Sequence, residues 1–235
     1  MYQIEKLVSA SHVGNDRKLT LSAAIDFMQD CSFFQINAVE KLMDEFAEKN
    51  MAMFINSRQL DVIDMPQFND KLLVRTWVWN LNNIFGSRNT VIYDEDLNAR
   101  VISYAMGSFV NLANGQPDSV SDEVMNNVLI EDRLEMEYLP RKIRIPGINS
   151  EKLQPIPILK SHIDLYNHVN NAKYIMIASD LLPDDFQTQR MRVEYKIPAK
   201  YGDTFYPSLY NMDNEIIVSL NNKEGKAFAI IEFWK

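Results

Sequence analysis

The sequence predicts an α+β fold made of two repeats. Each is a long helix wrapped by a five-stranded antiparallel sheet, and the two sheets add edge to edge into one continuous sheet. Three observations predict it. Ser161-His162-Ile163 repeats Ser11-His12-Val13 at an offset of 150 positions, which also lays Ile175 on Ile25 and Asp180 on Asp30. Val193-Glu194-Tyr195 followed by Pro198 to Asp203 repeats Leu60-Asp61-Val62 followed by Pro66 to Asp70 at an offset of 133, so the first copy carries 150 − 133 = 17 extra residues in between. Each copy then shows one run of helical spacing followed by four strand-like runs on short turns, which favours antiparallel meanders. One helix covers only one face of five strands, and a second such sheet added at the edge gives the continuous sheet; two separate α+β modules on a linker are the alternative.

In the first copy an initial strand spans about 2–12. Ile25, Met28, Ser32, Ile36, Val39 and Leu42 then recur every three or four residues, which is helical spacing, with Thr20 or Ser22 as the cap. Strand-like runs rich in β-branched and aromatic residues follow at 53–63, 71–79, 87–93 and 101–112, with turns at 64–70, 80–86 and 94–98. Trp77 and Trp79 share one face of their strand, and Val74, Thr76 and Val78 the other. Both faces are bulky, so this strand is expected to be covered on both sides.

Residues 113–154 are polar and turn-rich, with Pro117, Pro140 and Pro146, and read as a crossing linker with a short helix near 120–129. In the second copy a strand spans about 155–163 and a helix runs from about 169 to 182, where Pro183 ends it. Strands at 191–197, 204–210, 215–220 and 227–234 complete it. The expected domains are 1–130, a linker at 131–154, and 155–235.

Composition bounds the function. At 235 residues, 46% hydrophobic and 24% charged, the chain is long and apolar enough for a full core. The net charge of −8 gives no global attraction to nucleic acid or to an anionic membrane. No apolar run reaches the roughly 18 residues of a membrane span, and the N-terminus lacks the pattern of a signal peptide. Cys31 is the only cysteine, which excludes an intrachain disulfide and a multi-cysteine zinc site. The reading is a reduced, cytoplasmic protein. No Gly-rich phosphate loop and no Gly-x-Ser-x-Gly elbow occurs.

The densest polar cluster runs from Ser161 to Tyr174 at a strand-to-helix junction. It holds His162 and His168, the carboxylate of Asp164, and the amides of Asn167, Asn170 and Asn171. A helix start offers unpaired N–H groups and partial positive charge, which suit an oxyanion. Asp164 beside His168 supplies a carboxylate and an imidazole, the usual parts for activating water. The same residues also suit a structural role, with Asp164 and Asn167 as turn and cap residues and His168 as a satisfied polar group. His162 and Asp164, two apart on a strand, would share a face, but the ligand spacing of a metal site is missing and no metal is expected. Cys31 lies on the apolar helix and reads as a core thiol rather than a nucleophile. Met28, Phe33, Phe34, Met51, Met53, Phe54, Trp77 and Trp79 would either line an apolar tunnel or form plain core. Arg141-Lys142-Ile143-Arg144 is a basic spot in an acidic chain and reads as solvated linker.

The cluster Asp164-Leu165-Tyr166-Asn167-His168-Val169-Asn170-Asn171-Ala172-Lys173-Tyr174 resembles the Asp-x-Asn-x-His-Val-Asn-Asn-x-x-Tyr signature of the acyl-acyl carrier protein thioesterases. Asp26-Phe27-Met28-Gln29-Asp30 is similar to that family's Leu-Gln-Glu segment. Ile63 through Asp70 and then Val74-Arg75-Thr76-Trp77-Val78 are similar to its Pro-x-x-Gly-Asp turn and Thr-Trp strand. The resemblance implies two fused hotdog repeats rather than two separate modules on a linker, with an acyl tunnel mainly in the first and an active site in the second. It implies hydrolysis of a fatty acyl thioester on the phosphopantetheine arm of acyl carrier protein, with no cofactor. Asp164 and His168 take the places of the family's catalytic pair, either positioning and deprotonating the attacking water or with Asp164 attacking directly, and Asn167, Asn170 or Asn171 hold the carbonyl oxygen. The first copy has Gly14 and Lys18 at the matching positions, which leaves one active site per chain. Two departures stand out. Tyr166 occupies the place of the family asparagine, so either Asn167 supplies the amide or Tyr166 supplies a hydroxyl. The Glu-Cys pair of the plant enzymes has no counterpart after Glu194-Tyr195-Lys196-Ile197-Pro198-Ala199. An acyl-coenzyme A thioesterase and a non-catalytic acyl-binding protein remain as alternatives, and so does assembly as a homodimer.

Overall fold

A computed structural model describes all 235 residues. The chain divides into two compact units, the first comprising 1–58 and 62–138 and the second 59–61 and 139–235.

The first unit begins with β1 (Tyr2–Leu7), then α1 (Leu21–Asn37), α2 (Glu40–Lys49), β2 (Met51–Val62), β3 (Lys71–Leu81), β4 (Phe85–Tyr93), β5 (Ala99–Asn111) and a one-turn α3 (Asp122–Met125). Its strands lie in the order β1–β3–β4–β5–β2. The β1–β3, β3–β4 and β4–β5 pairs are antiparallel, with Tyr2 opposite Thr76 and Thr76 opposite Thr90. Thr20 caps α1 by accepting a hydrogen bond from the Ala23 amide at 3.2 Å. The helix buries Ala24, Ile25, Met28 and Cys31 against β1, β3 and β4.

The expected first strand is cut short. It ends at Leu7, and Ala10–His12 turn as a 3-10 helix because the His12 ring accepts from the Ser9 amide. The long helix is also two helices. The chain turns at Ala38 and Val39, where the Val39 N–H reaches back to Ile36 O at 3.0 Å. The apolar spacing carries across the break because Ile36, Val39 and Leu42 all pack into one cluster with Phe46, Phe109 and Val124.

The alternation expected of β3 is present. Val74 is fully buried on the face toward α1, where the Cys31 thiol donates to its carbonyl at 3.4 Å. The opposite face is covered by the segment 131–138, part of the stretch read as linker. The Trp77 indole donates to Asp132 O at 2.8 Å. Asn89, opposite Trp77, accepts from the Leu134 amide and the Tyr138 hydroxyl. The Tyr138 ring meets Trp79 and Tyr104 at 5.6 and 5.1 Å.

The second unit contains β6 (Glu151–Lys152), β7 (Ile156–Pro157), α4 (Asn171–Ser179), β8 (Arg190–Tyr195), β9 (Thr204–Asn211), β10 (Glu215–Asn221) and β11 (Ala227–Trp234). The strand order runs from the 59–61 part of β2 through β8–β11–β10–β9–β6, with β7 also on β9. Arg190 on β8 forms a two-pronged ion pair with Asp61 at 2.7 and 3.0 Å. The expected strand at 155–163 is only the two-residue β7, and Lys160–His162 form another 3-10 turn. His162 and Asp164 therefore do not share a strand face. Helix α4 is shorter than expected and stops before Pro183, as Leu181 and Leu182 turn back to Ala178 O and Ser179 O. Ile143, read as solvated linker, is buried with Ile217 and Ile230, and its amide donates to the buried Glu194. Its neighbours Arg141, Lys142 and Arg144 are exposed as expected. No helix is long and apolar enough to cross a membrane.

Candidate active site

The polar cluster folds as a tight loop between the 3-10 turn and α4. The Asp164 N–H donates to His168 O at 2.8 Å, and the Asn167 N–H donates to Asp164 O at 3.1 Å. Asp164 Oδ1 accepts from the backbone amides of Tyr166 (2.8 Å) and His168 (3.2 Å), and Oδ2 takes part in neither bond. This is an Asx turn, in which a short carboxylate closes the chain on itself. Asn167 sits at φ 61°, in the left-handed region that asparagine tolerates better than most residues. Its side chain is exposed at the tip, while Tyr166 and His168 are half-buried.

The loop is anchored on both sides. The Asn170 N–H donates to His162 O at 2.9 Å, and its side chain caps α4 by accepting from the Ala172 amide at 2.8 Å. The Val169 N–H donates to Ala199 O, the Tyr195 hydroxyl donates to Asn171 O, and the Tyr174 hydroxyl accepts from the Ala199 amide. Strand β8 and the turn after it thus hold both ends of the helix-start region. Asp164, Tyr166, Asn167, His168, Asn170 and Asn171 are all brought together within this one loop and helix start.

Electrostatics distinguishes the groups. Burial pulls the His168 imidazole below its ordinary pKa, with Asp164 opposing and Lys200 adding to the shift. Burial and the cation of Lys173 lower His162 in the same way. Burial, and then the charge of Asp164, raises the Tyr166 phenol. A neutral imidazole beside a carboxylate suits proton abstraction from water. Lys200 was missed by sequence reasoning. Its signal was present in the repeat, since the 133-residue offset lays it on Gln67 in the matching turn. No three His, Cys, Asp or Glu side chains assemble into a metal-holding group.

The first copy has the same backbone without the chemistry. Gly14 N donates to Lys18 O (3.0 Å), Thr20 N to His12 O (3.0 Å) and Leu19 N to Pro66 O (2.7 Å), matching the bonds of Asp164, Asn170 and Val169. Arg17 takes the left-handed place of Asn167 at φ 63°. Gln67 N donates to Asp70 Oδ2 and Lys200 N to Asp203 Oδ2, each at 2.8 Å.

Of the eight residues expected to line an apolar tunnel, Met53 lines the apolar cavity of the first unit and the other seven do not. Met28 is sealed in the core beside Arg58, Phe33 and Phe34 are exposed on α1, and Trp77 and Trp79 lie under the 131–138 segment. Beside Met53, that cavity is lined by Ile36, Val39, Leu42, Leu81 and Phe109 among others. Four of these were legible as apolar: Ile36, Val39 and Leu42 from the helical spacing and Met53 from the methionine population. Cys31 is fully buried, which raises its pKa to about 11 and makes it a poor nucleophile.

Comparison with known proteins agrees across the chain. The acyl-ACP thioesterase N-terminal domain matches residues 1–128, and the C-terminal domain of the same family matches 148–227. A chloroplastic acyl-acyl-carrier-protein hydrolase of Cuphea viscosissima is 22% identical over 255 residues, which cover 93% of this chain and 61% of that protein. The chain therefore spans 61% of the length of this curated relative. An acyl-ACP thioesterase from Bacteroides thetaiotaomicron superposes with a TM-score of 0.88 at 19% identity, over 99% of this chain and 96% of that one. A 12:0-ACP thioesterase from Umbellularia californica gives 0.87 at 15% identity, over 100% and 96%. At these identities the likeness is one of fold, and it is the α+β double-hotdog fold expected from the repeats and the family resemblance.

Proposed function

The chain belongs to the acyl-ACP thioesterase family, and we propose that it hydrolyses fatty acyl thioesters of acyl carrier protein to free fatty acid and carrier, in fatty acid biosynthesis in the cytoplasm. The observation that carries this reading is the loop at Asp164–His168, where an anchored carboxylate stands beside an imidazole that burial keeps neutral. In this mechanism His168 takes a proton from water and the hydroxide adds to the thioester carbonyl carbon. The carbonyl oxygen becomes an oxyanion, which the amides of Asn167, Asn170 or Asn171 and the positive end of α4 stabilise. The C–S bond then breaks and the imidazolium returns its proton to the departing thiolate. Asp164 fixes the backbone of the loop that carries His168, and its charge stabilises the imidazolium. Tyr166, half-buried next to Asp164, helps to position the pair. The 155–235 region is the catalytic repeat and the 1–130 region the acyl-binding one, with the chain accommodated in the apolar cavity rather than along the aromatic set.

A free-thiol release assay tests this, using acyl carrier protein loaded with chains of several lengths and the matching coenzyme A esters. Carrier-selective turnover is expected. Asp164→Asn should lower kcat/KM at least about a hundredfold, the scale of positioned acid–base catalysis, with unchanged circular dichroism. Full activity in that folded variant sinks the site assignment, preference for coenzyme A esters moves the substrate, and binding without cleavage makes the protein an acyl-binding module.

A further inference from the structure

The cavity of the first unit holds about 270 Å³ and lies between the helices and the sheet, near the small end of ligand pockets, which start at roughly 300 Å³. Its walls are mainly apolar, and the exposed Leu129 among its lining residues opens one side to solvent. One charged side chain lines it, that of Arg88 on β4.

Arg88 is 3% exposed. Its Nη2 donates to Gln35 Oε1 at 2.8 Å, and Gln35 also lines the cavity. Its Nε and Nη1 are sealed from solvent and have no partner. Buried polar groups are nearly always hydrogen-bonded, so two orphaned donors on one guanidinium call for a partner. No carboxylate is among the charges acting on it. The buried Arg58 repels it and the Cys31 thiol faces it, and burial followed by Arg58 brings its pKa down to about 10. It therefore stays cationic at neutral pH. A buried cation without a counter-ion is costly, and an anion brought to it would remove that cost. Nε and Nη1 lie on different edges of the guanidinium, with Nη2 between them held by Gln35, so an incoming carboxylate accepts from one of the idle donors as a charge-assisted hydrogen bond.

We propose that this cavity binds an alkyl chain bearing a carboxylate, with the carboxylate accepting from an idle N–H of Arg88 and the alkyl chain along Ile36, Val39, Leu42 and Phe109. The proposal rests on the reading of the cavity as the acyl site. The carboxylate has two sources: a free fatty acid, which is the reaction's product, or the far end of a dicarboxylic acyl thioester.

The test is a titration of the full-length Asp164→Asn protein with decanoate and with decanol. Decanoate should bind roughly ten- to hundredfold tighter than decanol, the range of a charge-assisted hydrogen bond. Arg88→Met should abolish that difference and leave decanol unaffected. Arg88→Lys, which keeps the charge but loses the planar spread of donors, should retain part of it and serves if the methionine variant fails to fold. Val39→Trp, which fills the cavity, should weaken both ligands. Equal affinity for decanoate and decanol, or a preference that survives Arg88→Met, overturns the proposal. The source is read from turnover by the unmodified enzyme. A higher kcat/KM for the decanedioic half-thioester than for the decanoyl thioester, lost in Arg88→Met, identifies the substrate's own far end, and no such gain with decanoate still bound identifies the product. Because binding is read without turnover, a protein that binds decanoate through Arg88 but cleaves nothing keeps this inference and loses the hydrolase reading.

Discussion

His168 shows how one residue's surroundings set its chemistry. Burial, opposed by Asp164 and seconded by Lys200, holds its pKa below the ordinary value of about 6.5. The acidic limb of kcat/KM is therefore expected below about pH 6.5, and a limb at or above that value removes His168 as the base. Lys200→Met deletes a cation that depresses the imidazole and should move the limb upward, while a limb that stays in place means Lys200 does not act on it. The same shift has a stability consequence. A histidine whose folded pKa is depressed contributes stability that is fully present above its unfolded pKa and lost as pH falls through its folded one. His162 is shifted in the same direction. The double variant His162→Gln/His168→Gln should thus lose less stability than the parent between about pH 6.5 and lower pH, measured by urea denaturation. Asp164 and His168 were legible as a pair from type and spacing. Arg88 was not, because an arginine in a strand run reads as solvent-facing until the fold shows which face of β4 meets α1.

At the scale of elements, local bonds decide where structure starts and stops. Asn170 caps α4 and also holds the loop that carries Asp164. Asn170→Ala should cost about 1 kcal/mol in denaturation and reduce activity beyond what that loss explains. Gly107 on β5 illustrates close strand approach. A Cβ there would lie 2.7 Å from Phe54 O and 2.9 Å from Met53 Cε. Gly107→Ala should destabilise by about 1–3 kcal/mol, whereas Gly147→Ala, where a Cβ meets nothing within 4 Å, should be near neutral in the same experiment. Strands β3, β5 and β9–β11 were readable within a residue or two because β-branched and aromatic runs end at turn residues. The ends of the first strands were not, because the Ser9–His12 and Leu159–His162 contacts that turn the chain are side-chain bonds with no periodicity. The split of α1 from α2 escaped for the opposite reason: both helices feed one apolar cluster, so the spacing continued through the break.

At the scale of the molecule, the two copies share a backbone and differ in chemistry. Gly14 and Lys18 occupy the bonds that Asp164 and His168 occupy in the second copy. Under the proposed function, with a single catalytic loop per chain, Asp164→Asn lowers turnover to the uncatalysed background rather than to half. A residual rate near one half would reveal a second site. The covering of the first sheet's outer face belongs to this scale too. Residues 131–138, polar by composition, bury Trp77 and satisfy Asn89. Tyr138→Phe removes the hydroxyl that lies 2.9 Å from both Asn89 Oδ1 and Leu134 O, and a loss of about 1 kcal/mol in denaturation would register that covering.

Sequence alone determined the duplicated α+β plan, the helix and strand types and the place of the polar loop. Repeats, periodicity and turn residues are local properties that survive without coordinates. It also placed Asp164 and His168, because a tight loop brings together residues only four apart. The tertiary structure alone decided which apolar residues line a cavity, which face of each strand meets a helix, and that Arg88 stands buried with two idle donors. Those depend on which distant segments pack together, and burial and unmet hydrogen bonds exist only once the packing is made.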